Sequence, residues 1–224
     1  MRMSLHAHPD CEVLAKMGAQ VRARLAVQPR AVRLEDERIE LYVLEGFCDD
    51  RACTRLIELI DDCASPSCLL EDKPVHSHFR TSFSSDIDPD DAQVRRLESR
   101  LCGLTGISAS RSETAQGQRY RCGQYFEEHC DWFDTRAGYW EHESRCGGQR
   151  SWTAMLYLNA VEEGGTTDFT RIAFSVRPRP GALLLWNNAM PDGSPNPYTM
   201  HAARPVVRGE KYVVTKWFRS HDWQ

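Results

Sequence analysis

Two side chains with metal-binding chemistry, His129 and Asp131, stand two positions apart in the run EEHCDWF. On a β-strand that spacing places both on one side, so an imidazole and a carboxylate can be offered to one ion. Such a pair arises easily by chance. His8-Pro9-Asp10 has the same spacing close to an N-terminus expected to be loose. A third residue lifts His129 and Asp131 above that background. His201, in PYTMHAARPV, follows a long connection and opens a strand-like run. Two imidazoles and one carboxylate form a facial triad that leaves positions open on Fe(II) for a bidentate 2-oxo acid and dioxygen. From these three residues alone a zinc hydrolase, with water as fourth ligand, competes with that reading.

Lys211 helps to decide between them. It lies on the next strand candidate, beyond the turn at Arg208-Gly209-Glu210, so a hairpin can fold its ammonium back toward the metal. A cation there can pair with the distal carboxylate of 2-oxoglutarate, with a hydroxyl completing the site. Without the triad, a solvent-facing strand lysine would be the simpler account.

The elements that must position these residues fall into a helical first half and a strand-rich second half. Residues 1–30 read as an N-terminal helical extension. Val13, Leu14, Met17, Ala19, Val21 and Leu25 recur at helical spacing from Cys11 to about Val27, and Pro29 ends the run. Residues 31–224 read as the main body of a single globular domain. Ile39–Leu44 alternates as a strand, and Asp49-Asp50 can cap a helix carrying Leu56, Ile57, Leu59 and Ile60. CASPSC is a turn, Val75–Phe83 a second strand, and Asp91–Leu104 a helix. From Gln116 onward strand-like runs at 116–126, 152–159, 172–177, 182–186, 200–207 and 211–219 are separated by Gly, Pro, Asn and Asp, which predicts a β-sandwich or barrel. Two long connections, Asp134–Gln149 and Asn187–Thr199, have the length of functional loops.

Composition narrows the class. With 41% hydrophobic and 27% charged residues the chain reads as globular and water-soluble, and no apolar run approaches the ~18 residues of a membrane span. The 28 basic and 32 acidic side chains nearly cancel, which argues against nonspecific nucleic-acid binding. Between Arg171 and Arg219, eight basic residues face two acidic ones, suiting either an anionic ligand or a solvated basic face. Nine cysteines without a CxxC pair predict free thiols, and the absence of a secretory apolar stretch in MRMSLHAHPD predicts a cytoplasmic setting. The Asp-rich stretch from Asp86 lacks the glycine and closing glutamate of a calcium loop. Gly164-Gly165-Thr166-Thr167 lacks the lysine and spacing of a phosphate loop. His76, His78, His142 and His221 read as loop or surface histidines.

With these residues in hand, the chain from about 39 to 219 resembles the catalytic domain of the prolyl 4-hydroxylases, a family of Fe(II)/2-oxoglutarate-dependent dioxygenases. The family's Tyr-x-x-Gly-Gln-x-x-x-x-His-x-Asp run matches Tyr120, Gly123, Gln124, His129 and Asp131. Its downstream block matches GGQRSWTAMLYLNAVEEGGTTDF at 147–169, and its closing His-plus-Lys pattern matches HAARPVVRGEKYVVTKWF from His201 to Phe218. The resemblance implies an α+β, mainly β fold, a double-stranded β-helix or jelly roll with supporting N-terminal helices. It also implies Fe(II), 2-oxoglutarate and O2, with ascorbate as a reductant.

By resemblance, Tyr120 and Thr167 line the co-substrate pocket and Lys211 pairs with the 2-oxoglutarate carboxylate, while Tyr157 and Trp217 are pocket walls. Core packing would equally explain Tyr120, and a turn Thr167. Arg150 and Arg80, in Arg80-Thr81-Ser82, match positions at the substrate groove of peptide-acting relatives, although either could be a structural ion-pair partner. Phe126 stands where many relatives have tyrosine, and Arg219 where some peptide hydroxylases have histidine. These departures bear on the substrate: the resemblance favours a prolyl residue in a peptide or protein, with a free amino acid or small metabolite as the alternative. A non-catalytic binding module of the same fold is disfavoured by the intact triad and Lys211. A nucleic-acid demethylase is disfavoured by the missing basic excess and by lysine, where that branch carries arginine.

Overall fold

The computed structural model describes residues 9–67 and 79–224. His8, Cys68, His76, His78 and the first part of the Val75–Phe83 strand candidate lie outside the described residues. In chain order the first half holds helix α1 (Cys11–Leu25), strands β1 (Val32–Arg33) and β2 (Leu41–Leu44), helix α2 (Asp50–Cys63), strands β3 (Ser65–Pro66) and β4 (Phe83–Asp86), and helix α3 (Ala92–Thr105). The second half holds β5 (Gln116–Tyr120), β6 (Phe126–His129), the short helix α4 (Trp140–Arg145), β7 (Arg150–Tyr157), β8 (Glu163–Gly164) and β9 (Thr167–Phe169). It closes with β10 (Phe174–Val176), β11 (Leu183–Asn187), β12 (His201–Ala203), β13 (Val206–Arg208) and β14 (Lys211–Arg219).

The fold is mainly β with few helices. One eight-stranded sheet runs β1-β2-β11-β7-β14-β5-β4-β3, a four-stranded sheet runs β10-β9-β12-β6, and β13 pairs with β8. Side chains alternate between the two faces of the sheet, and both faces are covered, so β14 is buried throughout and β7 from Ser151 onward. Trp152, Ala154, Leu156, Tyr212, Val214 and Phe218 point to one face and share a core with all three long helices. Met155, Tyr157 and Val213 point to the other and pack against Phe169, Val176 and Ala203 of the small sheet.

The helices form where caps and periodicity direct them. Asp49 Oδ1 accepts the Ala52 N–H at 2.8 Å, and Ala52, Cys53, Leu56 and Ile60 make the buried stripe of α2. Asp91 caps α3 in the same way, and Gly106, at φ 75°, ends it. Helix α1 buries Leu14, Met17, Val21 and Leu25, and the last three join the core shared with α2 and α3. The terminus just before it is fixed rather than loose at Asp10, whose Oδ2 accepts the Gln149 N–H at 2.9 Å and the Ser220 hydroxyl at 2.7 Å.

Three sequence expectations are corrected. The run 116–126 is two strands in different sheets. Gly123, at φ 80°, makes the turn between them, and Gln124 Oε1 accepts the Arg121 N–H at 2.7 Å. The run 200–207 breaks at Arg204-Pro205, because proline cannot donate to a ladder. The connection 134–149 carries α4.

Gly117 on β5 permits α2 to lie close against the sheet: a Cβ there would meet Ile60 Cγ1 at 2.3 Å. Gly117→Ala is therefore expected to destabilise the chain by about 1–3 kcal/mol through overpacking, read as a lower urea midpoint with unchanged slope.

Candidate metal centre and co-substrate pocket

His129 ends β6 and His201 begins β12, and the antiparallel register sets them directly opposite each other. Asp131 follows β6 by two residues. The potential ligand atoms of the three all lie within 4.8 Å of one another, and no other cluster of this kind occurs among the described residues. His129 Nε2 is 3.9 Å from Asp131 Oδ1.

Each donor is oriented from behind. Backbone carbonyls can only accept, so His129 Nδ1 donates to Glu127 O at 2.8 Å and His201 Nδ1 donates to Thr199 O at 2.9 Å. Both Nε2 lone pairs are then left for a cation. Thr153 Oγ1 donates to Asp131 Oδ2 at 2.6 Å. Phe126 stacks on the His129 ring with centroids 3.7 Å apart, so its ring supports a ligand face.

Protonation suits metal binding. Burial and the neighbouring His201 push His129 down to about 3. Burial alone would raise the Asp131 carboxyl, but His201, His129, Arg150 and the Thr153 hydroxyl hold it below its ordinary value. Neutral imidazoles and an ionised carboxylate are the forms that ligate. The donor set therefore fits a mononuclear Fe(II) site with positions open to other ligands.

The triad and Lys211 line one cavity of about 560 Å³. Lys211 opens β14 opposite Tyr120 of β5, and is 1% exposed. Its Nζ donates to Thr167 Oγ1 at 3.2 Å and lies 5.3 Å and 5.5 Å from the Tyr120 and Tyr157 ring centres. Among the described residues no carboxylate is within ion-pair distance of it, and burial drives its ammonium down to about 7. A buried cation of this kind is stabilised by an anionic ligand.

The remaining sequence-derived residues divide. Tyr120, Thr167, Trp217, Arg150 and Arg80 all line the cavity. Tyr157 stands behind it and donates to Thr167 Oγ1 at 2.7 Å, so it braces the wall. Arg150 is held by Glu113 through two bonds of 2.7 Å and lies 4.0 Å over Trp217. Arg80 donates to Ser82 and Gln116 and sits 4.7 Å over Phe126. Arg219 is off the cavity wall, contrary to the sequence expectation. A bulge follows Phe218, and Arg219 is 1% exposed, bonded to Glu113 at 2.8 Å and Glu143 at 2.9 Å.

Sequence reasoning missed Glu113, Gln118 and Thr153. Gln118 accepts the Tyr120 hydroxyl at 2.8 Å. Its inward parity with Tyr120 on β5 was the available signal. Glu113 and Thr153 carried none beyond being polar residues beside core strands.

A facial triad and a buried lysine on one cavity between two sheets define a 2-oxoglutarate-type oxygenase site. The sequence profile described as the 2OG-Fe(II) oxygenase superfamily matches residues 115–219. Probable prolyl 4-hydroxylase 3 of Arabidopsis thaliana is 30% identical over 95% of this chain and 77% of its own length. The viral collagen prolyl hydroxylase of Paramecium Bursaria Chlorella virus-1, solved as a 2OG complex, superposes with TM-score 0.61 at 26% identity over 80% of this chain and 95% of the viral one. A Trichoplax adhaerens prolyl hydroxylase, solved with a hypoxia inducible factor peptide fragment, shares the fold with TM-score 0.63 at 15% identity, over 93% and 91% of the two chains. The chain belongs to the prolyl 4-hydroxylase family of Fe(II)/2-oxoglutarate-dependent dioxygenases.

Lys211 gives a signed pH dependence. Below about pH 7 it is charged before ligand arrives. Above that, 2-oxoglutarate binding must take up a proton. The dissociation constant for 2-oxoglutarate, titrated calorimetrically with Mn(II) present, is expected to be flat below pH 7 and to weaken by up to about tenfold per unit above it. Lys211→Met should weaken binding and flatten the profile.

Proposed function

We propose that the chain hydroxylates a prolyl residue within a peptide or protein, on a jelly-roll scaffold formed by its two facing sheets. The overall change is C–H + O2 + 2-oxoglutarate to C–OH + succinate + CO2. The observation that carries this reading is that the His129–Asp131–His201 cluster and the Lys211 ammonium line the same cavity.

When bound, Fe(II) supplies the redox chemistry that couples dioxygen to oxidative decarboxylation of 2-oxoglutarate. His129, His201 and Asp131 would hold it. Lys211 receives the distal carboxylate of 2-oxoglutarate, with Thr167 and Tyr120 beside it, and so aims the 2-oxo acid end at the triad. Phe126, stacked on His129, and Trp217, under Arg150, present apolar surface that limits water at the reacting end.

On the substrate side the wall is aromatic: Trp132, Phe133, Tyr139, Trp217 and Trp223. Such a surface suits an uncharged pyrrolidine ring in a chain. Arg150 is neutralised by Glu113, which leaves it poorly placed to anchor the free carboxylate of an amino acid. The names of the relatives support a prolyl target. Use of ascorbate and a cytoplasmic setting complete the proposal; the free thiols of the described cysteines suit a reducing compartment.

Incubation with Fe(II), 2-oxoglutarate and either a proline-rich peptide or free proline tests the substrate. Mass spectrometry should show a gain of one oxygen atom in the peptide, matched by succinate. A gain in free proline alone would replace the peptide reading with the small-molecule one. His129→Ala, Asp131→Ala and His201→Ala should each abolish succinate formation.

A further inference from the structure

Asp131 is the single carboxylate of the triad, so the number of its oxygens that reach a metal decides how many positions stay open. One of them is already engaged, because Thr153 Oγ1 donates to Oδ2 at 2.6 Å. The other, Oδ1, faces His129 Nε2 at 3.9 Å. Thr153 has one proton to give, and Asn188 settles where it goes. Asn188 Nδ2 donates to Thr153 Oγ1 at 2.9 Å, so the Thr153 oxygen accepts on that side and its O–H is left for Asp131.

The amide of Asn188 is oriented in turn. The indole N–H of Trp186 can only donate, and it donates to Asn188 Oδ1 at 3.0 Å. The amide nitrogen must then be the atom that faces Thr153. The series therefore has one direction, set by a group that cannot accept. Trp186 also meets a second member of the triad: its ring packs edge-on to His201 with centroids 5.0 Å apart. The Asn188 backbone N–H donates to Ser151 O at 2.8 Å, which ties the start of the 187–199 connection to β7. Thr153, Trp186 and Asn188 are each at most 1% exposed. Packing alone does not require the hydroxyl at 153, since valine has nearly the same shape.

We infer that Trp186, Asn188 and Thr153 are positioning residues that hold Asp131 to one ligand oxygen, Oδ1, and so keep the metal's remaining coordination positions open to co-substrate and dioxygen. This rests on the metal-centre reading given above.

Thr153→Val, made in the full chain, deletes the donor and keeps the shape. Mn(II) affinity, followed by the electron paramagnetic resonance of the free ion, is expected to fall by about 10- to 100-fold. Thr153→Ser, which restores the hydroxyl, should stay near wild type. Asn188→Ala should weaken Mn(II) binding in the same direction by a smaller factor. With Co(II) as probe, the visible absorption of Thr153→Val should change, reporting a carboxylate free to bind through both oxygens, while that of Thr153→Ser should not. A folded Thr153→Val that binds Mn(II) as wild type does overturns the inference. If Thr153→Val does not fold, the other two variants decide: weakened binding in Asn188→Ala with retained binding in Thr153→Ser supports the relay, and any other combination overturns it. Failure of the wild-type chain itself to bind Mn(II) would sink the metal-centre reading and the relay with it, an outcome distinct from loss in the variants alone.

Discussion

The antiparallel pairing of β6 with β12 is the contact on which the rest depends. These are short strands, yet their register places His201 opposite His129 and so brings together two imidazoles far apart in the chain. A slip of one residue would turn one imidazole to the other face and leave the carboxylate with half a site. That register is held from several sides. Gly123 turns the chain into β6, β9 pairs with the free edge of β12, and Phe126 stacks on the His129 ring. The four-stranded sheet is thus less a structural layer than a frame for two ligands.

The eight-stranded sheet carries a different burden. Its inner face must present a cation, Lys211, and a carboxylate partner, Thr153, from strands otherwise rich in apolar residues. Burying an ammonium without an opposite charge is unfavourable, and the lowered proton affinity of Lys211 expresses that cost. Two tyrosine rings and the Thr167 hydroxyl offset part of it. The site is thereby tuned to a ligand that brings negative charge. Elsewhere the buried charges are self-contained: Glu113 binds both Arg150 and Arg219, and Glu143 takes the second edge of Arg219. Arginine at 219 thus belongs to the scaffold that ties α4 to the sheet.

What could be read from the sequence was local or repeated. The helices were legible because Asp49 and Asp91 are capping residues followed by stripes of apolar side chains. The triad and Lys211 were legible because their chemistry is rare and their order matched a family pattern. The splitting of 116–126 between two sheets was not, although Gly123 marked it, because alternation continues on either side of the turn. Nor was the placement of Arg219, since a single bulge after Phe218 redirects a residue that two-residue parity assigns to the cavity. Thr153, Asn188 and Glu113 lay beyond reach for a plainer reason. A polar residue next to a core strand acquires meaning only from a partner brought in by tertiary structure.

The position of Asp10 carries a consequence of its own. Its carboxylate joins Gln149 and Ser220, and the Gln149 side chain accepts from the Phe133 N–H at 2.6 Å and donates to the Phe133 carbonyl at 3.0 Å, two residues beyond Asp131. The opening of the described chain, its closing segment and the loop behind the ligand carboxylate therefore meet at one knot. The knot cannot be tied until synthesis has passed Ser220, after all three ligands have been made. Removing the Asp10 carboxylate, just ahead of the first helix, would therefore withdraw a partner from Gln149, whose side chain braces the loop that carries the ligand Asp131.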